Sequence, residues 1–314
     1  MLRYLVYRLL SAIPVLVVVS LVSFLIIFLV PGDPASEIAG PGASSGEVER
    51  IRNDLGLNRP FHVQMLTYYE RLAHGDLGRS ILLGRGVLEA MIERAPVTLS
   101  LTAAGLFMAI FVGVSLGVIG AVKQNTAIDQ TAMTVALLGL SVPDFWLGLV
   151  MIYVFAVSLG WLPTGGYVPM SESFTGWLRS MAIPALALGF TQTGLIARIT
   201  RATMLEVLRQ DYIRTARAKG MPEWVVVGRH ALANTLIPVV TVIGLIVGIL
   251  LGGAVVVEQV FSLPGAGRLI IGAILRRDFP VIQGGLLLIA SIFVAVNIVV
   301  DILYAYLDPR IRYD

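Results

Sequence analysis

The sequence predicts an all-α membrane protein with six transmembrane helices. Hydrophobic residues make up 57% of the 314-residue chain, charged residues only 14%, and the mean hydropathy is +0.85. A soluble domain is about 45–50% apolar and about 25% charged, so this chain has too few charges to cover a water-soluble surface. Its apolar runs are continuous rather than alternating, which favours helices over the strands of a membrane barrel.

Six runs are long enough to cross a bilayer, which takes roughly 20 apolar residues as helix. The run at 9–30 exceeds the apolar region of a signal peptide, so it predicts a retained first helix. The run at 130–171 contains only one charge, Asp144, and by length alone holds either one kinked span or two. We predict a first span within 1–30 and five further spans at about 98–122, 130–159, 180–200, 233–257 and 281–306.

Charge placement predicts which side each connection faces. Seven basic residues lie between the fourth and fifth spans against three acidic ones, namely Arg198, Arg201, Arg209, Arg214, Arg217, Lys219 and Arg229 against Glu206, Asp211 and Glu223. The positive-inside rule places this connection, 206–232, in the cytoplasm, and Arg3 and Arg8 place the N-terminus there too. An even number of crossings must separate them, so 130–159 is predicted to be one span with a kink at Pro143. The tail, 308–314, is then cytoplasmic.

The segment 31–97 between the first two spans is predicted to be a small helical extracytoplasmic insert. Ser44 and Glu47 fit a capping box ahead of a short helix that stops at Gly56. Pro60 opens a second helix, Phe61–Ala73, which Gly75 closes.

Catalytic and metal-binding signatures are absent from the sequence. The chain has no cysteine, and its three histidines lie far apart. No phosphate-binding loop and no nucleophile elbow occurs. We therefore expect no enzymatic activity, no metal site and no nucleic-acid partner, and we expect the energy for any transport to come from a partner.

The basic connection has an unusual design for a loop between two spans. Its sequence predicts a helix, a tight turn and a second helix. Gly220 can adopt the left-handed conformation that ends a helix, and Pro222 suits the first turn of the next one. Ala216 and Ala218 leave room for a close neighbour. Charge alone would fit a segment lying on anionic lipid, but the turn favours docking onto a protein.

This connection resembles the coupling loop of ABC-transporter permease subunits of the dipeptide, oligopeptide and nickel importer branch. Tyr212-Ile-Arg-Thr-Ala-Arg-Ala-Lys-Gly220 and Arg229-His-Ala-Leu232 carry the resemblance. Arg214-Thr-Ala216 replaces the general Glu-Ala-Ala, so a role of that glutamate does not transfer. Further pieces resemble the B-type permease in order: Pro31-Gly-Asp-Pro-Ala35, Leu55-Gly-Leu-Asn-Arg-Pro60, Gly75-Asp-Leu-Gly-Arg-Ser80, Ser141-Val-Pro-Asp-Phe-Trp146, Gly160-Trp-Leu-Pro-Thr164 and the stretch Glu258-Gln-Val-Phe-Ser-Leu-Pro-Gly-Ala-Gly-Arg268.

The resemblance implies a type I importer transmembrane domain over 98–307, in a bacterial inner membrane. It implies a second six-helix permease as partner in a heterodimer, two ATPase subunits that carry ATP and magnesium, and an extracytoplasmic binding protein, all in contact with membrane lipids. This chain itself would carry no cofactor. The residues implied to contact an ATPase are Tyr212, Arg214, Thr215, Ala216, Arg217, Ala218, Lys219, Gly220, Met221, Pro222, Glu223, Arg229 and His230.

Polar and small residues within the spans have two interpretations each. The candidates for the translocation pathway or a gate are Ser141, Pro143, Asp144, Thr191, Gln192 and Asn297. Their alternative role is to satisfy a helix break or to hydrogen-bond between helices. Gly244, Gly248 and Gly252 share one helix face and suit contact with a partner permease, or close packing within the chain.

Two other functions remain open at this point. An ion-gradient-driven secondary carrier would need buried titratable groups and would work alone. A non-conducting assembly subunit would have no pathway. Peptides are the preferred cargo, with nickel and related small solutes as alternatives.

Overall fold

The computed structural model describes residues 2–29, 33–40, 42–54 and 56–307, and these are helical almost throughout. The α-helices are α1 (Leu2–Leu29), α2 (Pro34–Ala39), α3 (Ser45–Asp54), α4 (Phe61–Ala73), α5 (Val87–Val122), α6 (Ala127–Ser141), α7 (Asp144–Met151), α8 (Phe174–Leu208), α9 (Asp211–Ala218), α10 (Glu223–Val225), α11 (Leu232–Val260), α12 (Ala266–Leu275) and α13 (Phe279–Leu307). A π-helical segment, Ile152–Ser158, follows α7, and another, Val226–Ala231, joins α10 to α11. The predicted cytoplasmic tail, 308–314, lies outside the described residues.

Five helical segments are long and apolar enough to cross a membrane. Four of them lie in α1, α5, α8 and α13, and the fifth runs from α10 through the second π-helical segment to the end of α11. The predicted third span is where the structure differs. Instead of one kinked helix it forms two helices, α6 and α7, bent by 106° at the break between them. Val142 and Pro143 both have extended backbone there, because a residue before proline is forced out of the helical region and proline itself lacks an N–H group. If this pair crosses once, the chain has six spans.

The chain divides into two compact units. The first comprises 97–264 and the described part of 296–314, and the second comprises 2–96 and 265–295. Helix α8 is the centre of the first unit: 67% of its most apolar stretch is buried, against 22–39% for the other four long spans. Its Leu188 and Ile196 are fully buried in a cluster that includes Ile246 and Leu250 of α11.

Glycines allow α8 to approach α6 at backbone distance. A Cβ atom on Gly194 of α8 would collide with the carbonyl oxygen of Ala136, and one on Gly139 of α6 would collide with that of Phe190. This is the small-residue packing that membrane helices use in place of a hydrophobic driving force.

Replacing Gly194 with alanine should therefore destabilise the isolated chain by about 1–3 kcal/mol, the usual cost of overpacking. The matched control is Gly252→Ala in α11, where a Cβ atom would meet nothing within 4 Å. That change should be neutral or slightly stabilising, because alanine favours helix over glycine. Thermal unfolding of both variants in detergent checks the difference, and equal midpoints would contradict the close approach.

The second unit contains the predicted helical insert. The capping box is confirmed: Glu47 N–H donates to Ser44 Oγ at 3.3 Å, and Ser44 N–H donates to Glu47 Oε2 at 3.4 Å. The helix predicted at Phe61–Ala73 is α4, with the same ends. Gly75 has a φ of +74°, in keeping with its predicted role as a helix stop.

A buried carboxylate anchors a loop within this unit. Asp278 is 2% exposed and accepts hydrogen bonds from Ser80 Oγ at 2.5 Å and from Leu82 N–H at 3.3 Å. A buried charge must be hydrogen-bonded to be tolerated. The loop that follows Gly78 is thus tied to the turn between α12 and α13.

Candidate functional site: a helical hairpin between two spans

The predicted helix, turn and helix between the fourth and fifth spans is present. Helix α9 follows the end of α8 after a two-residue connection, and the turn 219–222 leads into α10. The second arm differs from the prediction in extent, because α10 continues through the Val226–Ala231 π-helical segment into the span α11. Arg198 and Arg201, counted above with the basic connection, lie inside α8.

The turn is a Schellman motif centred on Gly220. Gly220 has a φ of +74°; its N–H group donates to the Arg217 carbonyl at 2.9 Å, and Met221 N–H donates to the Ala216 carbonyl at 3.4 Å. Met221 and Ala216 belong to the same apolar cluster, which supplies the hydrophobic contact that accompanies this motif. Pro222 lies at the N-cap of α10, one position before the predicted first turn.

An ion pair bridges the two arms of the hairpin. Arg217 Nη2 lies 2.6 Å from Glu223 Oε1, and Arg217 Nε lies 3.1 Å from Glu223 Oε2. The hydrogen bonds that Arg217 donates to Glu223 raise the pKa of Arg217. Both side chains are about half exposed, so the pair adds little stability, but its bidentate geometry favours one angle between the arms.

The inner face of α9 is buried against its own chain. Ile213 and Ala216 are buried in a cluster with Met204 of α8 and with Val226 and Ala231 of the π-helical segment. Asn234 Nδ2 donates to the Tyr212 hydroxyl at 2.7 Å. The hairpin is therefore mounted on the ends of two spans rather than tethered loosely to them.

The outer face of the hairpin is polar and exposed. Of the residues predicted to contact a partner, Ala216 is buried, Met221 and His230 are half-buried, and the others are exposed. Trp224, which the sequence analysis did not single out, is 78% exposed. A large aromatic ring two residues after a Gly-Met-Pro turn in a basic segment is the signal that could have identified it, since exposed tryptophan is characteristic of binding surfaces.

His230 lies in the π-helical segment at the base of the hairpin. Its Nε2 atom is buried and has no hydrogen-bond partner among the described residues. Short π-helical insertions in helices frequently occur at functional sites.

A buried ion pair, also missed from the sequence, ties α8 to α6. Arg201 Nε and Nη2 donate to the two carboxylate oxygens of Asp129 at 2.7 and 2.6 Å. Asp129 is 5% exposed and Arg201 is 26% exposed. Asn125 N–H also donates to Asp129, at 3.0 Å, so this carboxylate holds the α5–α6 connection as well.

Asp144 lies at the break between α6 and α7. One of its oxygens accepts from Phe145 N–H at 2.7 Å. The other would be 2.9 Å from a Cβ atom on Gly253, so the carboxylate contacts the α11 backbone. Ser141, on the other side of the break, donates to the Leu137 carbonyl of its own helix.

The remaining pathway candidates lie in α8 and α13. Thr191 is buried and donates to the Leu188 carbonyl of its own helix at 2.9 Å. Gln192 donates to Thr191 Oγ1 at 3.3 Å. Asn297 is half-buried in α13. The bonds of Thr191 and Gln192 are of the kind expected for the structural role, and the pathway role stays a prediction.

The three glycines of α11 have different surroundings. A Cβ atom on Gly244 would collide with Val300 of α13, whereas one on Gly252 would meet nothing within 4 Å. Gly248 is half-buried. Gly244 therefore serves packing within this chain, while Gly252 lies on an exposed surface.

Glu258 is a further charged residue that the sequence analysis did not treat as a candidate. It is fully buried near the end of α11 and accepts from Thr98 Oγ1 at 2.5 Å. Ionisable residues buried in spans are costly and usually have a role. In the described residues no group of His, Asp or Glu side chains could hold a metal ion.

The chain is similar in sequence to membrane components of known transport systems. Residues 113–313 match the family described as "Binding-protein-dependent transport system inner membrane component", and residues 1–102 match the N-terminal part of such membrane components. Among curated relatives, a putative peptide transport system permease protein of Brucella abortus is 51% identical over 98% of both chains. The dipeptide transport system permease protein DppB of Alkalihalophilus pseudofirmus is 46% identical over the full length of both.

Two further matches extend the comparison. The glutathione transport system permease protein GsiC of Escherichia coli K12 is 44% identical over the full length of both chains. A solved structure of the methionine ABC transporter MetNI in an inward-facing conformation matches with a TM-score of 0.59. That match covers 70% of this chain and 97% of the other at 19% identity, and it shows a shared fold.

Proposed function

This chain belongs to the family of binding-protein-dependent transport system inner membrane components, and on that premise we propose that it couples ATP hydrolysis to peptide import through the α9–α10 hairpin. It is a multi-pass permease subunit of an ABC importer in the bacterial inner membrane, with the transmembrane fold of type I importers. Its family is one of transport components rather than catalysts.

The proposed orientation follows from the basic charge around the hairpin. The hairpin and both termini face the cytoplasm, and 31–97 faces outward. A second six-helix permease completes the pathway, two ATPase subunits that bind ATP and magnesium lie beneath, and a binding protein delivers cargo from outside. Short peptides are the proposed cargo, in line with the names of the curated relatives.

The observation that supports the coupling proposal most directly is that one face of α9 is buried and the other is exposed. Its inner face is buried on the ends of α8 and α11, and its outer face is exposed together with Trp224. Coupling requires that both sites bias the same pair of conformations. A hairpin fixed to two spans transmits a displacement of the docked ATPase to those spans, because no flexible linker absorbs it.

Reconstitution in liposomes tests the function. The assembled complex should take up a labelled dipeptide only when ATP and the binding protein are both present. Uptake by this chain alone, driven by a proton or sodium gradient, would instead support a secondary carrier. If a complex that contains the partner permease but lacks this chain transports normally, this chain would have a non-conducting assembly role.

Trp224→Ala should weaken ATPase binding without affecting the fold, because the ring is exposed in the free chain. An interface tryptophan typically contributes about 2 kcal/mol or more, which is roughly a 30-fold loss of affinity. The measurement is the dissociation constant between the purified permease pair and the ATPase. Trp161→Ala is the matched control, since Trp161 is 61% exposed in a connection on the other side of the proposed topology. An equal loss in both variants would contradict the assignment.

A further inference from the structure

A cavity of about 470 Å³ lies within the second unit. It is formed by the end of α1, the α3–α4 connection, α4, the residues after it, and the start of α13. Its volume falls in the range of small-molecule sites in proteins, about 300–1,000 Å³. None of the candidates considered above lies in it.

The floor of the cavity is formed by apolar residues that are largely buried. Phe24 of α1 and Phe279 of α13 are 4% and 3% exposed, and Leu77 and Tyr68 add further apolar surface. Gln283 Nε2 donates to the Phe24 carbonyl at 3.4 Å, and Ser23 Oγ donates to the Gln283 carbonyl at 2.8 Å. These bonds hold the two helices together beneath the cavity.

The rim carries charges of both signs that do not pair. Arg59, Arg71, Asp54 and Asp76 line the cavity and are exposed, yet none of them forms an ion pair with another described residue. Arg79, by contrast, uses its guanidinium to donate to the Gly84 carbonyl at 2.8 Å. Asp76 accepts a hydrogen bond from Gly78 N–H at 2.8 Å through one of its two oxygens. Two cations and two anions around one cavity offer partners to a ligand that carries both charges.

We propose that this cavity binds a short peptide with free termini. The peptide carboxylate lies against Arg59 and Arg71, its ammonium group lies against Asp54 and Asp76, and its side chains cover the aromatic floor. Arginine binds carboxylates with two parallel hydrogen bonds, which adds geometric selectivity. The inference rests on the proposed peptide cargo and on the outward placement of 31–97, and it adds a site on this subunit itself.

A zwitterionic lipid headgroup shares this charge pattern, but the floor disfavours it. A bound phospholipid needs an apolar exit for its acyl chains, whereas Phe24 and Phe279, which line the cavity, are buried and offer those chains little exposed apolar surface. A peptide needs no such exit. The observations therefore favour the peptide.

The test measures binding of a fluorescent tripeptide, with two alanines, a dye-bearing central side chain and free termini, to the full-length chain without binding protein. The chain is held in phosphatidylglycerol nanodiscs, because that headgroup carries no cation. Arg71→Gln and Asp54→Asn should each reduce affinity about tenfold, because each removes a charge-assisted hydrogen bond. Amidation of the peptide's C-terminus should lower affinity for the wild-type chain at least as much as Arg71→Gln does, because it removes the contacts with both arginines. Arg71→Gln should then cause no further loss of affinity for the amidated peptide. Arg50→Gln, a charge change on α3 outside the cavity lining, should have no effect.

Unchanged affinity in both rim variants would overturn the proposal, and so would equal binding of the amidated peptide. Loss of peptide binding in phosphatidylethanolamine nanodiscs would also overturn it and assign the cavity to the lipid. ATP-driven uptake by the assembled wild-type complex is measured in parallel. If uptake is normal but no peptide binds the lone chain, the cavity assignment fails while the proposed function stands.

Discussion

Gly220→Pro is expected to abolish ATP-driven uptake while leaving the chain inserted in the membrane. The φ of Gly220 is +74°, whereas proline is locked near −65° and has no N–H group to donate to the Arg217 carbonyl. The change therefore breaks the Schellman motif and swings α10 away from α9. A penalty of about 3 kcal/mol corresponds to roughly a hundredfold loss of the docking-competent hairpin.

The measurement compares dipeptide uptake with ATP hydrolysis in the reconstituted complex. Uptake should fall much further than hydrolysis, because the ATPase subunits retain their own chemistry. Gly220→Ala should have an intermediate effect, since alanine tolerates positive φ at a cost of about 1 kcal/mol. Gly228→Ala is the matched control: Gly228 also has open space around it, but its φ is not positive. Normal uptake by Gly220→Pro would refute the coupling role of the hairpin.

Asp129→Ala is expected to produce the largest loss of stability among the single changes considered. It leaves Arg201, only 26% exposed, without its bidentate partner. Removing one member of a buried ion pair costs about 3 kcal/mol or more, because the other charge stays in a poorly solvated site. Since Arg201 lies on α8, which leads directly to the hairpin, uptake should fall together with stability.

Thermal unfolding of the purified chain checks this expectation. The control is Asp211→Ala, which removes the equivalent pair with Arg214 at 3.2 Å, where the side chains are 94% and 72% exposed. An exposed pair contributes at most about 1 kcal/mol, so this variant should unfold close to the wild type. Double replacement of Asp129 by Ala and Arg201 by Leu should recover part of the loss, because it removes the unpaired charge as well. Equal stability of the two single variants would show that the buried pair is not important.

Features that depend on local sequence were the ones that could be predicted. Helix α4 has the predicted ends because proline, glycine and the apolar spacing all act within a few residues of the chain. The turn at Gly220 was predictable for the same reason. The break at Pro143 was placed correctly, but its angle depends on how α7 packs against α8 and α11, which no local pattern encodes.

Features that depend on distant contacts could not be predicted. Asp129 and Arg201 are 72 residues apart in the chain, and Arg201 resembled one more positive charge in a basic connection. Glu258 reaches Thr98 across 160 residues. The glycines of α11 formed one stripe in sequence, yet only the structure distinguishes Gly244, which packs on Val300, from the open Gly252. The cavity in the second unit is likewise assembled from segments far apart in sequence.

The 106° break between α6 and α7 also limits what can surround the chain in its native setting. Backbone amides and carbonyls freed by such a break are tolerated at bilayer depth only when water or protein reaches them. Ser141 and Pro143 are exposed on the surface of this single chain. The break between α6 and α7 is therefore unsuited to contact with lipid tails. In the assembled transporter, water or an adjoining subunit must contact it instead.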